Sequence, residues 1–145
     1  MAAPTADEGY RSTFISVADD SRATTGEVPR PRPSGPTVAS AQFTMLSGRP
    51  GHWTQADVLF ASSPALRGRD DIPPEERARL RDEYFAEPRA CLRASPLPKT
   101  HGWGVHFDAE GRITLHAVDS PEYERLRADP SLTQVKAMRS SRAKT

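Results

Sequence analysis

The chain reads as one α+β domain. The expected sheet is mostly antiparallel or mixed, with a C-terminal β-hairpin and helices packed on one face. Three observations predict it. Trp103, Val105 and Phe107 alternate with Gly104 and His106, and Ile113, Leu115 and Ala117 alternate with Thr114 and His116. Apolar residues at a period of two mark half-buried strands. Thr54, Pro73-Pro74 and Ser120-Pro121 each precede acidic residues in the manner of helix starts. The length of 145 residues suits a single core.

Taken in order, residues 1–12 are expected to form a disordered arm. Thr13-Phe14-Ile15-Ser16-Val17, β-branched and aromatic, predicts the first strand. Residues 26–36 include four prolines and are expected to run as an extended, polyproline-like loop, because proline lacks the backbone donor and fixes φ. The Arg30, Pro33, Pro36 spacing also fits a loose Pro-rich ligand pattern, which is short and common by chance. Thr37 caps a helix ending at Gly48, with Val38, Ala41 and Met45 on its apolar side. A second helix opens at Thr54, and a third runs from Pro73 to about Phe85. Cys91 to Ala94 is read as a short strand closed by Pro96 and Pro98. The hairpin follows, then a helix capped by Ser120, a last strand from Leu132 to Met138, and a polar tail at 140–145. The folded domain is expected to span 13–139, and the order of elements favours α+β over α/β.

Composition narrows the function classes. Twenty basic and 19 acidic residues leave a net charge of +1, which gives no field suited to nucleic acid or an anionic membrane. No apolar run approaches the roughly 20 residues a membrane helix needs. The single cysteine, Cys91, cannot form an intrachain disulfide, and residues 1–11 carry no secretory pattern, so a reducing cytoplasm is expected. No cofactor motif is present, and no cofactor or metal is expected.

The register of the hairpin can be argued. With Gly111 in the left-handed position of the turn, Phe107 faces Ile113, Val105 faces Leu115 and Trp103 faces Ala117. All six then share one face, and a slip of one residue would oppose apolar to polar. On the other face His106 lies opposite Thr114, and His106 and His116 become diagonal neighbours about 7–8 Å apart at the backbone. Gly104 is expected to leave a hollow beside them.

Several residues carry candidate chemistry. A thiolate at Cys91 would need a nearby imidazole or cation to become a nucleophile, with Arg93, His101 or His106 as partners; otherwise it is a small core residue. Arg93, Ser95 and Lys99 suit an anion. If Cys91 to Ala94 is a strand beside the hairpin, Arg93 rises on the face carrying His106 and His116, and one site results.

Thr13-Phe14-Ile15, Thr25-Gly26-Glu27, Thr37-Val38-Ala39, Gln42-Phe43, Asp57-Val58-Leu59-Phe60, Cys91-Leu92-Arg93-Ala94-Ser95-Pro96-Leu97, Gly102-Trp103-Gly104-Val105-His106 and Ala137-Met138-Arg139-Ser140 are distinctive. Through them the chain resembles an uncharacterised bacterial family, a domain of unknown function of about the same length. That resemblance implies no activity. The reading drawn from the residues is a binding module for a small anionic ligand or a protein partner, with Arg93, Ser95, Lys99, His106 and His116 at the site. The alternative is a small Cys/His enzyme using Cys91.

Overall fold

The hairpin forms as its alternation requires. In the computed structural model, which describes residues 5–141, β2 (Trp103–Phe107) and β3 (Ile113–Ala117) pair with Phe107 opposite Ile113 and His106 opposite Thr114. Gly111 closes the turn at φ +81°, a conformation glycine adopts without steric cost. β1 (Thr13–Ser16) lies antiparallel beside β2, and β4 (Thr133–Lys136) lies parallel beside β1. The sheet is therefore mixed, in the order β3-β2-β1-β4.

Five helices complete the domain: α1 (Val38–Gly48), α2 (Gln55–Ala61), α3 (Pro74–Phe85), α4 (Pro96–Thr100) and α5 (Pro121–Arg127). Local chemistry sets their starts. Thr37 and Thr54 each accept from the third backbone N–H of their helix, and the side chains of Ser40 and Asp57 return a bond to the cap. Ser95 and Ser120 cap α4 and α5, each followed by proline at the first position. Among the described residues no helix is long and apolar enough to cross a membrane.

The larger core joins Ile15, Val105, Phe107 and Ile113 of the sheet to Leu46, Val58, Leu59, Leu92 and Leu97 from α1, α2 and the α4 region. Helix α3 contributes only Tyr84 and Phe85 at its C-terminal end; none of its residues is buried. Helix α5 departs from a one-faced arrangement. Tyr123 and Leu126 pack on Phe14 against the opposite face, with the Tyr123 and Phe14 rings 5.2 Å apart and nearly edge-on. The hollow expected at Gly104 is filled by this contact. A methyl group there would overlap the Phe14 ring and come within 2.7 Å of Tyr123.

Five further expectations are corrected. Cys91 to Ala94 is not a strand: residues Leu92–Ala94 form one 3-10 turn, leading into α4. The reason lies in Ser95-Pro96, a cap and first-turn proline that start a helix rather than close a strand. Residues 5–12 are packed, with Ala6 and Tyr10 buried in the larger core; residues 1–4 of the expected arm lie outside the described residues. The tail's Ser140 and Ser141 donate their amides to Asp20, and residues 142–145 lie outside the described residues. The Pro-rich segment is not continuously extended, because Arg32 and Gly35 exchange backbone bonds in a tight turn. Finally, α1 buries Ala39, Ser40, Gln42 and Leu46, while Val38 is 37% exposed.

Candidate functional site

The expected site residues do not converge. His106 and His116 stand on β2 and β3, on the face covered in part by α5. Arg93 belongs to the 3-10 turn, and its Nε donates to the Lys136 carbonyl of β4 at 2.8 Å. Strands are about 4.8 Å apart, so Arg93 is anchored roughly two strand spacings from His106 and three from His116. Lys99 sits on α4. The single site joining Arg93 to the imidazoles depended on a strand at Cys91 to Ala94, and it falls with that strand.

The imidazoles themselves meet as the register requires. Their rings lie 6.3 Å apart, and Thr114 Oγ1 stands 3.4 Å from His106 Nδ1 and 3.0 Å from His116 Nε2. One hydroxyl proton cannot serve both, so Thr114 donates to one ring and accepts from the other. Partial burial lowers the pKa of both rings. Asp108 and Asp129 oppose the shift at His106. At His116 the neighbouring His106 and Arg125 reinforce it and Glu122 opposes it. The cavity at α5, lined by Val17, Tyr123, Glu124, Arg127 and Gln134, takes in neither imidazole, and α5 and the sheet meet beside the patch. Among the described residues no group of three or more His, Cys, Asp or Glu side chains is placed to hold a metal.

Ser95 and Cys91 belong to a different place. They line an open cavity of about 220 Å³ between α1, the end of α2, the end of α3 and the 3-10 turn. Among apolar neighbours such as Leu59, Tyr84 and Pro96, its wall includes four polar residues that are almost wholly buried: Gln42 at 2%, Ser62 at 3%, Ser63 at 5% and Ser95 at 6% exposure. Ser95 Oγ donates to Gln42 Oε1 at 2.6 Å, Gln42 Nε2 donates to Ser62 Oγ at 3.1 Å, and Ser62 Oγ donates to the Val58 carbonyl at 2.8 Å. Ser63 Oγ, in the same wall, has no hydrogen-bond partner among the described residues. Buried hydroxyls are nearly always paired, because desolvating one without a partner costs about 1–3 kcal/mol.

The charge of the cavity is one-sided. Among the described residues Arg89 is the only charged side chain in the lining. Its guanidinium lies 4.1 Å over the Tyr84 ring, its Nε donates to the Tyr84 carbonyl at 2.8 Å, and Glu87 approaches it at 3.5 Å. Cys91 is half-buried, with its Sγ 3.3 Å from the Tyr10 hydroxyl. Burial, and then the bond to Cys91, raise the Tyr10 pKa and keep the phenol protonated. None of the histidines lines this cavity.

Sequence reasoning missed Gln42, Ser62, Ser63, Arg89 and Tyr10. One signal was present. Ala39, Gln42 and Leu46 fall at spacings of three and four, so a glutamine shares a helical stripe with apolar residues. A buried glutamine amide must find partners, which points to polar residues on facing elements. The packing of Tyr10 against Phe107, with ring centroids 5.3 Å apart, had no comparable signal.

No curated protein and no solved structure matches this chain. The model of DUF6157, a family of unknown function, matches residues 5–143 of the 145, and the chain belongs to that family.

Proposed function

We propose that the protein is a binding module for a small anionic ligand, held in the cavity between Arg89, Cys91 and the Gln42–Ser62–Ser95 network. One observation carries the reading: the Ser63 hydroxyl, buried and unpartnered, stands in the wall of a cavity whose only charged lining residue is a cation. A ligand oxygen could take the Ser63 proton. A carboxylate at the mouth would be drawn to Arg89, whose planar fork suits two oxygens. The volume limits the ligand to a few non-hydrogen atoms beyond the carboxylate.

The reading of Cys91 as a catalytic nucleophile is less well supported. Its hydrogen-bond partner is a protonated phenol rather than an imidazole that could take its proton. A bacterial cytoplasm is the setting we propose, since the lone cysteine pairs with no second thiol in the chain. The near-neutral charge supports no nucleic-acid or membrane partner.

Thermal unfolding tests the proposal, because a ligand that binds only the folded state raises Tm. Acetate, lactate, pyruvate and butyrate should be compared with the matching amides at equal concentration and ionic strength. At least one carboxylate should raise Tm in the parent and fail to do so in Arg89→Gln. Equal responses to acids and amides, or a response that Arg89→Gln leaves unchanged, would contradict it.

A further inference from the structure

The cavity holds a feature that reversible binding does not use. Cys91 and Arg89 are two residues apart in the segment that follows α3, and both line the cavity. The thiol is half-buried, lines the wall, and is held at its sulfur by the Tyr10 hydroxyl. Across the same space stands the unpartnered Ser63 hydroxyl. A small carboxylate drawn to Arg89 would therefore lie beside Sγ.

We propose that Cys91 is a modification site selective for small carboxylates bearing an electrophilic carbon, which the cavity orients toward its sulfur. The inference rests on the anion-binding reading above and adds a covalent step to it. With iodoacetate, Cys91 Sγ attacks the methylene carbon, an S–C bond forms, the C–I bond breaks, and iodide leaves with the bonding pair. The thiol proton passes to water. No oxidant or second reactant is required. The protonated Tyr10 phenol can donate to the sulfur once its proton has left for water and before the S–C bond forms, while Arg89 fixes the carboxylate end.

The chemistry separates this site from an ordinary surface thiol. The negative charge of iodoacetate gives it no advantage at an isolated cysteine, whereas a cation at the cavity mouth attracts it and leaves neutral iodoacetamide unaffected. The chain has one cysteine, so each adduct on the intact mass reports Cys91 alone.

The test is a pair of alkylation rates on the native full chain, each normalised to a small free thiol in the same buffer. The ratio of iodoacetate to iodoacetamide should rise about tenfold over that reference, in keeping with one partly screened charge at close range. In Arg89→Gln the ratio should return to the reference value, whereas Arg89→Lys, which keeps the charge, should retain the preference. Raising the salt concentration should lower the ratio. A ratio equal to the free thiol's, a thiol that resists both reagents until unfolding, or a preference that survives in Arg89→Gln would each overturn the proposal. If carboxylates raise Tm through Arg89 and yet iodoacetate shows no preference, the covalent step fails and the binding reading stands. If no carboxylate raises Tm but the preference is present and lost in Arg89→Gln, directed capture stands without tight reversible binding.

Discussion

On the face of the sheet beneath α1, α2 and α4, four polar side chains are buried to nine-tenths or more around a cavity; on the face beneath α5, two imidazoles and a hydroxyl lie half-exposed, and the cavity lined by Tyr123, Glu124 and Arg127 takes in none of them. The difference follows from thickness. Several elements converge on the first face, so its polar side chains are largely withdrawn from water and need partners. Three of the four side chains have one, and Ser63 does not. A single seven-residue helix covers the second face, and water can reach what α5 leaves open. Polar groups in a half-exposed patch need little explanation, whereas a buried hydroxyl without a partner calls for one. The same residue types thus carry different weight on the two sides of one sheet.

The largest effect should come from the thick face. Phe107→Ala removes a fully buried ring and should cost about 4 kcal/mol, measured by denaturant unfolding. A loss under about 1 kcal/mol would mean that this core is not the main source of stability. Gly104→Ala probes the thin face. Its new methyl meets Phe14 and Tyr123, and such overpacking typically costs about 1–3 kcal/mol. Hydrogen exchange should then speed up in α5 and stay slow in α1 and α2. Equal acceleration in all three would show that the two faces are not separable.

A pair of serines sharpens the contrast within the cavity wall. Ser95→Ala removes the cap of α4 and leaves Gln42 Oε1 without its donor, and it should cost about 2 kcal/mol. Ser63→Ala removes a hydroxyl that has no partner and should change stability by less than about 0.5 kcal/mol, or raise it. A large loss for Ser63→Ala would show that its hydroxyl is satisfied in solution and would remove the main support for a ligand.

How much of this was legible in the sequence differs between the same two faces. The hairpin was, because strict alternation from Trp103 to Ala117 allows only one register with a buried face. The caps Thr37, Thr54 and Ser120 were, because their side chains act on backbone two or three residues away. The His106–Thr114–His116 cluster follows from register alone. The cavity was not legible. It is assembled from α1, α2, α3 and the 3-10 turn, and no local pattern states how far apart these will pack. Cys91 to Ala94 misled for a related reason: four residues are too few to show a period, and Ser95-Pro96 outweighed them.

The smallest expected effect is the response of the thin face to acid. Burial lowers the folded pKa of His106 and His116 below the ordinary value of 6.5. Between those values the unfolded chain binds more protons than the folded one, so stability falls as pH drops below about 6.5 and levels off once the folded rings are protonated. Above that range the two rings contribute no slope. The His106→Gln, His116→Gln double variant should flatten this part of the stability curve. An unchanged slope would assign it to other groups.

The central claim is that the working surface lies on the thick face, and chemical-shift mapping tests it most directly. On titration of the labelled protein with the carboxylate that raises Tm most, the Gln42 side-chain amide and the backbone amides of Ser63, Ala90 and Cys91 should shift together along one binding curve, while His106 and His116 stay still. Shifts that gather on His106, Thr114 and His116, leaving Gln42 and Ser63 unmoved, would contradict the account.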